Sequence, residues 1–113
     1  LIMHEVADMK PGNGNPVANY EYYRMVFGAP EELLKSENNP EELVRRLQDV
    51  GKEIPGIFMA CGTEDFLLQE NRGFHGFLEE RNVPHAYYES PGEHNWLFWN
   101  QYLEPAIQWM LGE

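Results

Sequence analysis

Ile57-Phe58-Met59-Ala60-Cys61 is a continuous apolar run with Gly56 and Gly62 at its ends. Alternation is absent, so the run suits a strand covered on both faces, as in a parallel sheet. A second strand is predicted over 84–89, rich in aromatics. Between them the spacing of Phe74, Phe77 and Leu78, with the earlier Leu67, predicts a helix over about 69–81 with these residues facing inward. A strand–helix–strand order with about 20 residues between the strands implies a parallel, right-handed crossover. The fold class this predicts is α/β: a mostly parallel sheet with flanking helices.

Other elements follow from their punctuation. Asn19 can cap a helix over 20–27 that Gly28 would end, with Tyr20, Tyr23 and Phe27 on one face. Asn39 caps a second helix, with Pro40 in its first turn and Glu42 completing a capping box. Its stripe is Leu43, Val44, Leu47 and Val50, and Gly51 stops it. A last helix is predicted over about 95–111, with Trp99, Leu103, Ala106, Ile107 and Met110 at helical spacing and a bend at Pro105. Residues 4–18 read as a loop rich in Gly, Asn and Pro, and loops of that length usually serve as lids or mobile segments.

Two full strands make a narrow sheet with an open edge. The chain opens at Leu1, and Leu1-Ile2-Met3 reads as the tail of a buried strand. The expectation is therefore a fragment or processed chain. Its 113 residues suit one small domain, or part of one. With 19 acidic against 8 basic residues the formal charge is −11, which disfavours nucleic acid and anionic membrane as partners. No apolar run approaches the roughly 20 residues that span a bilayer, and no signal peptide is visible. A single cysteine, Cys61, precludes an intrachain disulfide and suits a cytoplasmic protein.

In open α/β sheets ligands bind beyond the carboxyl ends of the strands. Asp65 follows the first strand and His94 the second, 29 residues later. Adjacent parallel strands would bring the two loops together, and a carboxylate on one imidazole nitrogen leaves the other free as a base. The plainer readings are a turn residue or cap for Asp65 and a helix start for His94. Ser36 and Ser90 are the chain's serines. Neither lies in a Gly-x-Ser-x-Gly elbow, and Cys61 reads as a buried, inert strand residue. His4 and Asp8, four apart, form too weak a pattern for a metal site, so no metal or cofactor is expected. His75 and His85 read as surface or packing residues.

Gly62-Thr63-Glu64-Asp65-Phe66-Leu67, Asn71, Glu89-Ser90-Pro91-Gly92-Glu93-His94-Asn95-Trp96 and Phe98-Trp99 together resemble the C-terminal part of the putative-esterase branch of the α/β-hydrolases. That branch includes tributyrin esterases, S-formylglutathione hydrolases and feruloyl esterases. The likeness is strong over 57–111 and has no match over 4–18. It implies that Asp65 is the acid and His94 the base of a catalytic triad. It also implies that the serine and the oxyanion hole lie upstream, in the missing N-terminal part of the same protein. The reaction implied is hydrolysis of a small-molecule carboxylic ester by serine acyl transfer, and this chain alone would be inactive. Trp96 and Tyr23 are the expected substrate-binding residues. Residues 4–28 would be a lid or insertion in one hydrolase domain, with Tyr20, Tyr22, Met25 and Phe27 contributing. A homo-oligomer remains open. The alternative is a hydrolase-like module that binds a ligand or partner without turnover.

Overall fold

Two asparagines start helices by the same chemistry in the first half of the chain. The computed structural model describes residues 3–112. The chain divides into two compact units, one ending at Ile54 and one beginning at Pro55. In the first unit, α1 spans Met3–Ala7, α2 Tyr20–Phe27, α3 Pro30–Leu33 and α4 Pro40–Asp49. Asn19 accepts the Tyr22 N–H at 3.0 Å and Asn39 accepts the Glu41 N–H at 3.2 Å, each satisfying a helix donor that has no partner within the helix. Gly28 and Gly51 then take the left-handed conformations that end α2 and α4.

Asn39 is 2% exposed and also donates to the Leu34 carbonyl at 2.8 Å. A buried amide is tolerated when both its ends are bonded. Around it, Val6, Leu33 and Val44 form the unit's apolar centre.

Several expectations for this half are corrected. Met3 begins α1, so it is helix and not the end of a strand, and His4–Ala7 is helical rather than loop. Leu1 and Ile2 lie outside the described residues. The capping box is half made. The Asn39 N–H bonds the Ser36 carbonyl, and Glu42 turns to Arg46 at 3.0 Å instead of back to the cap. Along α4, Val44 is buried while Leu43 and Val50 are exposed. The remaining loop is pinned at Gly14, whose bridge to Asn19 leaves a Cβ only 2.6 Å from the Asn19 Cα. Only glycine permits that approach.

The second unit holds the predicted crossover. β1 spans Phe58–Gly62, α5 Leu68–Glu80, β2 Ala86–Ser90 and α6 Trp96–Leu111. The two strands pair in parallel, from Phe58 opposite Ala86 to Gly62 opposite Ser90. The core comprises Cys61, Phe74, Leu78, Val83 and Phe98. β1 is covered on both faces only at Cys61 and Gly62, and β2 is half-buried with Tyr88 exposed. The expectation that the first strand is covered on both faces along its length is thus too strong, because this sheet has two strands and few elements to cover it.

The apolar stripe read along α6 is not the part it buries most deeply. Phe98 is buried and the Tyr102 ring lies tilted against it with centroids 4.9 Å apart, whereas Leu103, Ile107 and Met110 are exposed. Helical spacing identifies a stripe but not which stripe meets the sheet. Pro105 lies inside α6, and Asn95 caps the helix through the Phe98 N–H.

Candidate active site

β1 and β2 end side by side, and the loops that leave them cross. The Thr63 N–H bonds the Ser90 carbonyl at 2.9 Å, and the Glu64 N–H bonds the Gly92 carbonyl at 3.0 Å. Glu64 Oε2 accepts the Gly92 N–H at 2.7 Å and the Thr63 hydroxyl at 2.6 Å. These bonds to the charged form hold the Glu64 carboxyl below its ordinary value, the Gly92 N–H first and Thr63 second.

The crossing demands glycine on both sides. A Cβ on Gly62 would lie 2.0 Å from the Gly92 carbonyl oxygen. Gly92 has φ of +147°, and its own Cβ would meet Phe98 at 2.7 Å. The glycines of Gly62-Thr63-Glu64-Asp65 and Pro91-Gly92-Glu93-His94 are therefore what let the two loops touch.

Asp65 and His94 meet at this crossing. Asp65 is 8% exposed. Its Oδ1 accepts the Leu67 N–H at 2.8 Å, so the reading as a turn residue holds for one oxygen. Its Oδ2 faces His94 Nδ1 at 2.9 Å. An ionised carboxylate only accepts, so Nδ1 carries the hydrogen and Nε2 keeps its lone pair. The His94 side chain is 41% exposed, and no hydrogen bond engages Nε2 among the described residues. Asn95 caps α6, so His94 is free of helix-starting duty.

Aromatic rings fix the imidazole from its edges. Phe66 lies 5.1 Å away and Trp99 5.0 Å away, both edge-on. Trp96 is 69% exposed and reaches the histidine only through Trp99, at 5.2 Å. The wall around His94 is thus made first by Phe66 and Trp99, with Trp96 at its outer end. The sequence carried a signal for each. Phe66 follows Asp65 directly, and Trp99 lies one helical turn beyond Trp96.

Tyr23 belongs to α2 in the other unit, where it stacks on Phe27 at 6.1 Å and meets Tyr22 edge-on at 5.3 Å. Its side chain is half-buried there.

The candidate nucleophiles are otherwise engaged. The Ser90 hydroxyl oxygen accepts from Tyr102 at 2.9 Å, and Ser36 donates to the Leu33 carbonyl at 2.7 Å. Cys61 is 2% exposed. Burial pushes its thiol up, and the negative charges of Asp65 and Glu89 add to that. It therefore stays a thiol, which is a poor nucleophile.

Elsewhere in the unit, Arg72 on α5 holds Glu89 through two bonds of 2.7 and 2.9 Å. His75 and His85 prove to be in mutual contact at 2.7 Å, and Glu79 lies close to both. His4 pairs with Glu41 at 3.4 Å.

No family model matches the chain. It is 42% identical over 110 residues to an acetyl esterase of Caldicellulosiruptor saccharolyticus, covering 97% of this chain and 41% of that protein. Among solved structures it is similar to an S-formylglutathione hydrolase of Staphylococcus aureus, with a TM-score of 0.74 at 27% identity. That match covers 96% of this chain and 40% of the other. A fluorophosphonate-binding serine hydrolase of the same organism gives a TM-score of 0.77 at 27% identity, with coverages of 97% and 40%. The chain thus spans about two fifths of the length of the relatives it matches.

Proposed function

The chain belongs to the esterase branch of the α/β-hydrolases and carries the C-terminal part of that fold, and from that premise we propose that it supplies the acid and the base of a serine carboxylesterase. The observation behind this reading is the pairing of His94 Nδ1 with a buried Asp65 oxygen at 2.9 Å, beside an exposed and unengaged Nε2. The pair sits beyond the carboxyl ends of two adjacent parallel strands, where α/β folds place their chemistry.

The proposed reaction has two halves. In the first, His94 Nε2 takes the proton of a serine hydroxyl outside residues 1–113 as its oxygen bonds the ester carbonyl carbon. The imidazolium then returns that proton to the departing alkoxide, giving an alcohol and an acyl-serine. In the second half, His94 deprotonates water, which attacks the acyl carbon. The serine oxygen leaves with the proton, and the carboxylic acid is released. Throughout, Asp65 holds the tautomer and offsets the charge that develops on the ring. Oxyanion donors would also come from the rest of the protein.

The relative's name points to short acyl groups such as acetyl as the substrate class. Trp96, at the outer end of the aromatic wall, is proposed to bound the substrate. Residues 4–28 are proposed as a lid within a single hydrolase domain, with Tyr23 as a substrate contact.

A fluorophosphonate probe and a short acyl ester test the reading on the intact protein. The expected outcome is covalent labelling of one serine outside residues 1–113 together with turnover. A protein that takes no label and turns over no ester would instead be a hydrolase-like module without chemistry.

A further inference from the structure

α5 presents His75 and Glu79 four residues apart, which places them on one helix face. His85 stands immediately before β2, whose opposite end carries Ser90 and the loop to His94. This end of the strand therefore lies away from the ester site.

His75 Nδ1 and His85 Nε2 lie 2.7 Å apart. His85 Nδ1 lies 2.8 Å from the Val83 carbonyl oxygen. A carbonyl only accepts, so that nitrogen carries the hydrogen and Nε2 holds the lone pair. The His75 ring is held flat against Tyr87, with centroids 3.9 Å apart and planes 6° from parallel. One ligand atom each from His75, Glu79 and His85 falls within 4.8 Å of the other two.

We propose that these three side chains form a binding site for a divalent transition ion, with Zn²⁺ as the best match. Two imidazole nitrogens and a carboxylate suit a borderline ion, whereas Ca²⁺ and Mg²⁺ favour all-oxygen shells. The bond from His85 Nδ1 to a carbonyl is the outer contact that typically orients a metal-bound histidine. Binding requires the hydrogen between the two rings to leave. His75 loses its proton from Nδ1 to solvent and takes one up from solvent at Nε2, so it ligates as the neutral Nε2–H tautomer with no net change in protons. The two nitrogens separate from 2.7 Å to about 3.4 Å, the spacing of two ligands on a tetrahedral Zn²⁺. Both rings are only half-buried and Glu79 is exposed, so the movement is local. Water fills the fourth position. The ion would clip the second half of α5 to the start of β2 and brace the crossover that places Asp65 and His94.

The test uses the intact protein, stripped with a chelator and titrated calorimetrically with Zn²⁺. Co²⁺, which reports its coordination by visible absorption, is the second probe. The wild type should take up one equivalent of each ion and melt at a higher temperature with Zn²⁺ present. His85→Ala and Glu79→Gln should each weaken binding by at least the roughly 10–100-fold that loss of an outer partner costs, and His85→Ala should lose the thermal shift. Glu79 is exposed, so its variant reports on the site even if His85→Ala folds poorly. Failure of the wild type to bind either ion would mean that the two histidines are only a hydrogen-bonded pair. Equal binding by wild type and both variants would place the ion elsewhere. Either result overturns the proposal. Ester hydrolysis enters neither readout, so the site stands or falls separately from the catalytic reading.

Discussion

Asp65 divides its two oxygens between two partners, and that division lets one carboxylate hold the turn and the histidine at once. Oδ1 closes the turn onto the Leu67 N–H, and Oδ2 holds His94. Asp65→Asn should therefore keep much of the turn while presenting the imidazole with a neutral partner or the wrong tautomer. The expected loss in kcat is at the upper end of the roughly 10²–10⁴-fold range for positioned proton transfer, with an unchanged circular dichroism spectrum. A Trp99→Ala change tests the ring wall differently. It removes an edge contact at 5.0 Å and should lower kcat by loosening His94, while Trp96→Ala should act mainly on KM. Kinetics of the two variants side by side would distinguish positioning from substrate contact. The pairing of Asp65 with His94 was legible in the sequence because each follows a strand end. Phe66 and Trp99 stood in the motif stretches, but their edge contacts with His94 were not legible, because a ring contact depends on the path of two loops that cross only in three dimensions.

At the scale of elements, the loop crossing is the part least tolerant of change. A Cβ at Gly62 would sit 2.0 Å from a backbone oxygen that cannot move without breaking the Glu64–Gly92 bond. Gly62→Ala is expected to cost about 1–3 kcal/mol, read from urea unfolding of the intact protein, and to reduce turnover as the two loops part. The tie between α5 and β2 predicts a pH effect. Arg72, then Tyr87, hold the Glu89 carboxyl down at about 2 from an ordinary 4.5. A depressed folded value means that the pair's stabilisation is present above 4.5 and is lost as pH falls from there towards 2. Arg72 is half exposed, so solvent screens the effect. Glu89→Gln should flatten the melting temperature over that window, and an unchanged slope would contradict the assignment. The elements that the sequence marked were readable to within about two residues, α3 at Pro30–Leu33 was not marked, and the shifts have causes. β2 begins after Pro84 because proline has no N–H for the ladder and Val83 is bonded to His85. α1 was missed because Met3–Ala7 is one short turn whose only buried residue is Val6.

For the whole molecule, the exposed side of α6 is the feature that the two described units leave unexplained by their own packing. Leu103, Ile107, Met110 and Leu111 are between 44% and 70% exposed, on a helix beside a two-stranded parallel sheet. Parallel sheets are ordinarily covered on both faces, and the relatives are more than twice as long as the matched region. Residues 1–113 produced alone are expected to bind an apolar dye or self-associate, and the intact protein is expected to do neither. A monomeric, dye-silent fragment would show that this face needs no cover. Sequence periodicity marked these residues as apolar and helical, but the direction they face depends on a partner that periodicity does not encode. The account's central claim is that Asp65 and His94 are the acid and base of ester hydrolysis. The most direct test is kcat/KM of the intact protein on a short acyl ester, wild type against His94→Ala. The predicted result is a fall of about 10²–10⁴-fold with folding intact. An unchanged rate in a folded variant would contradict the claim.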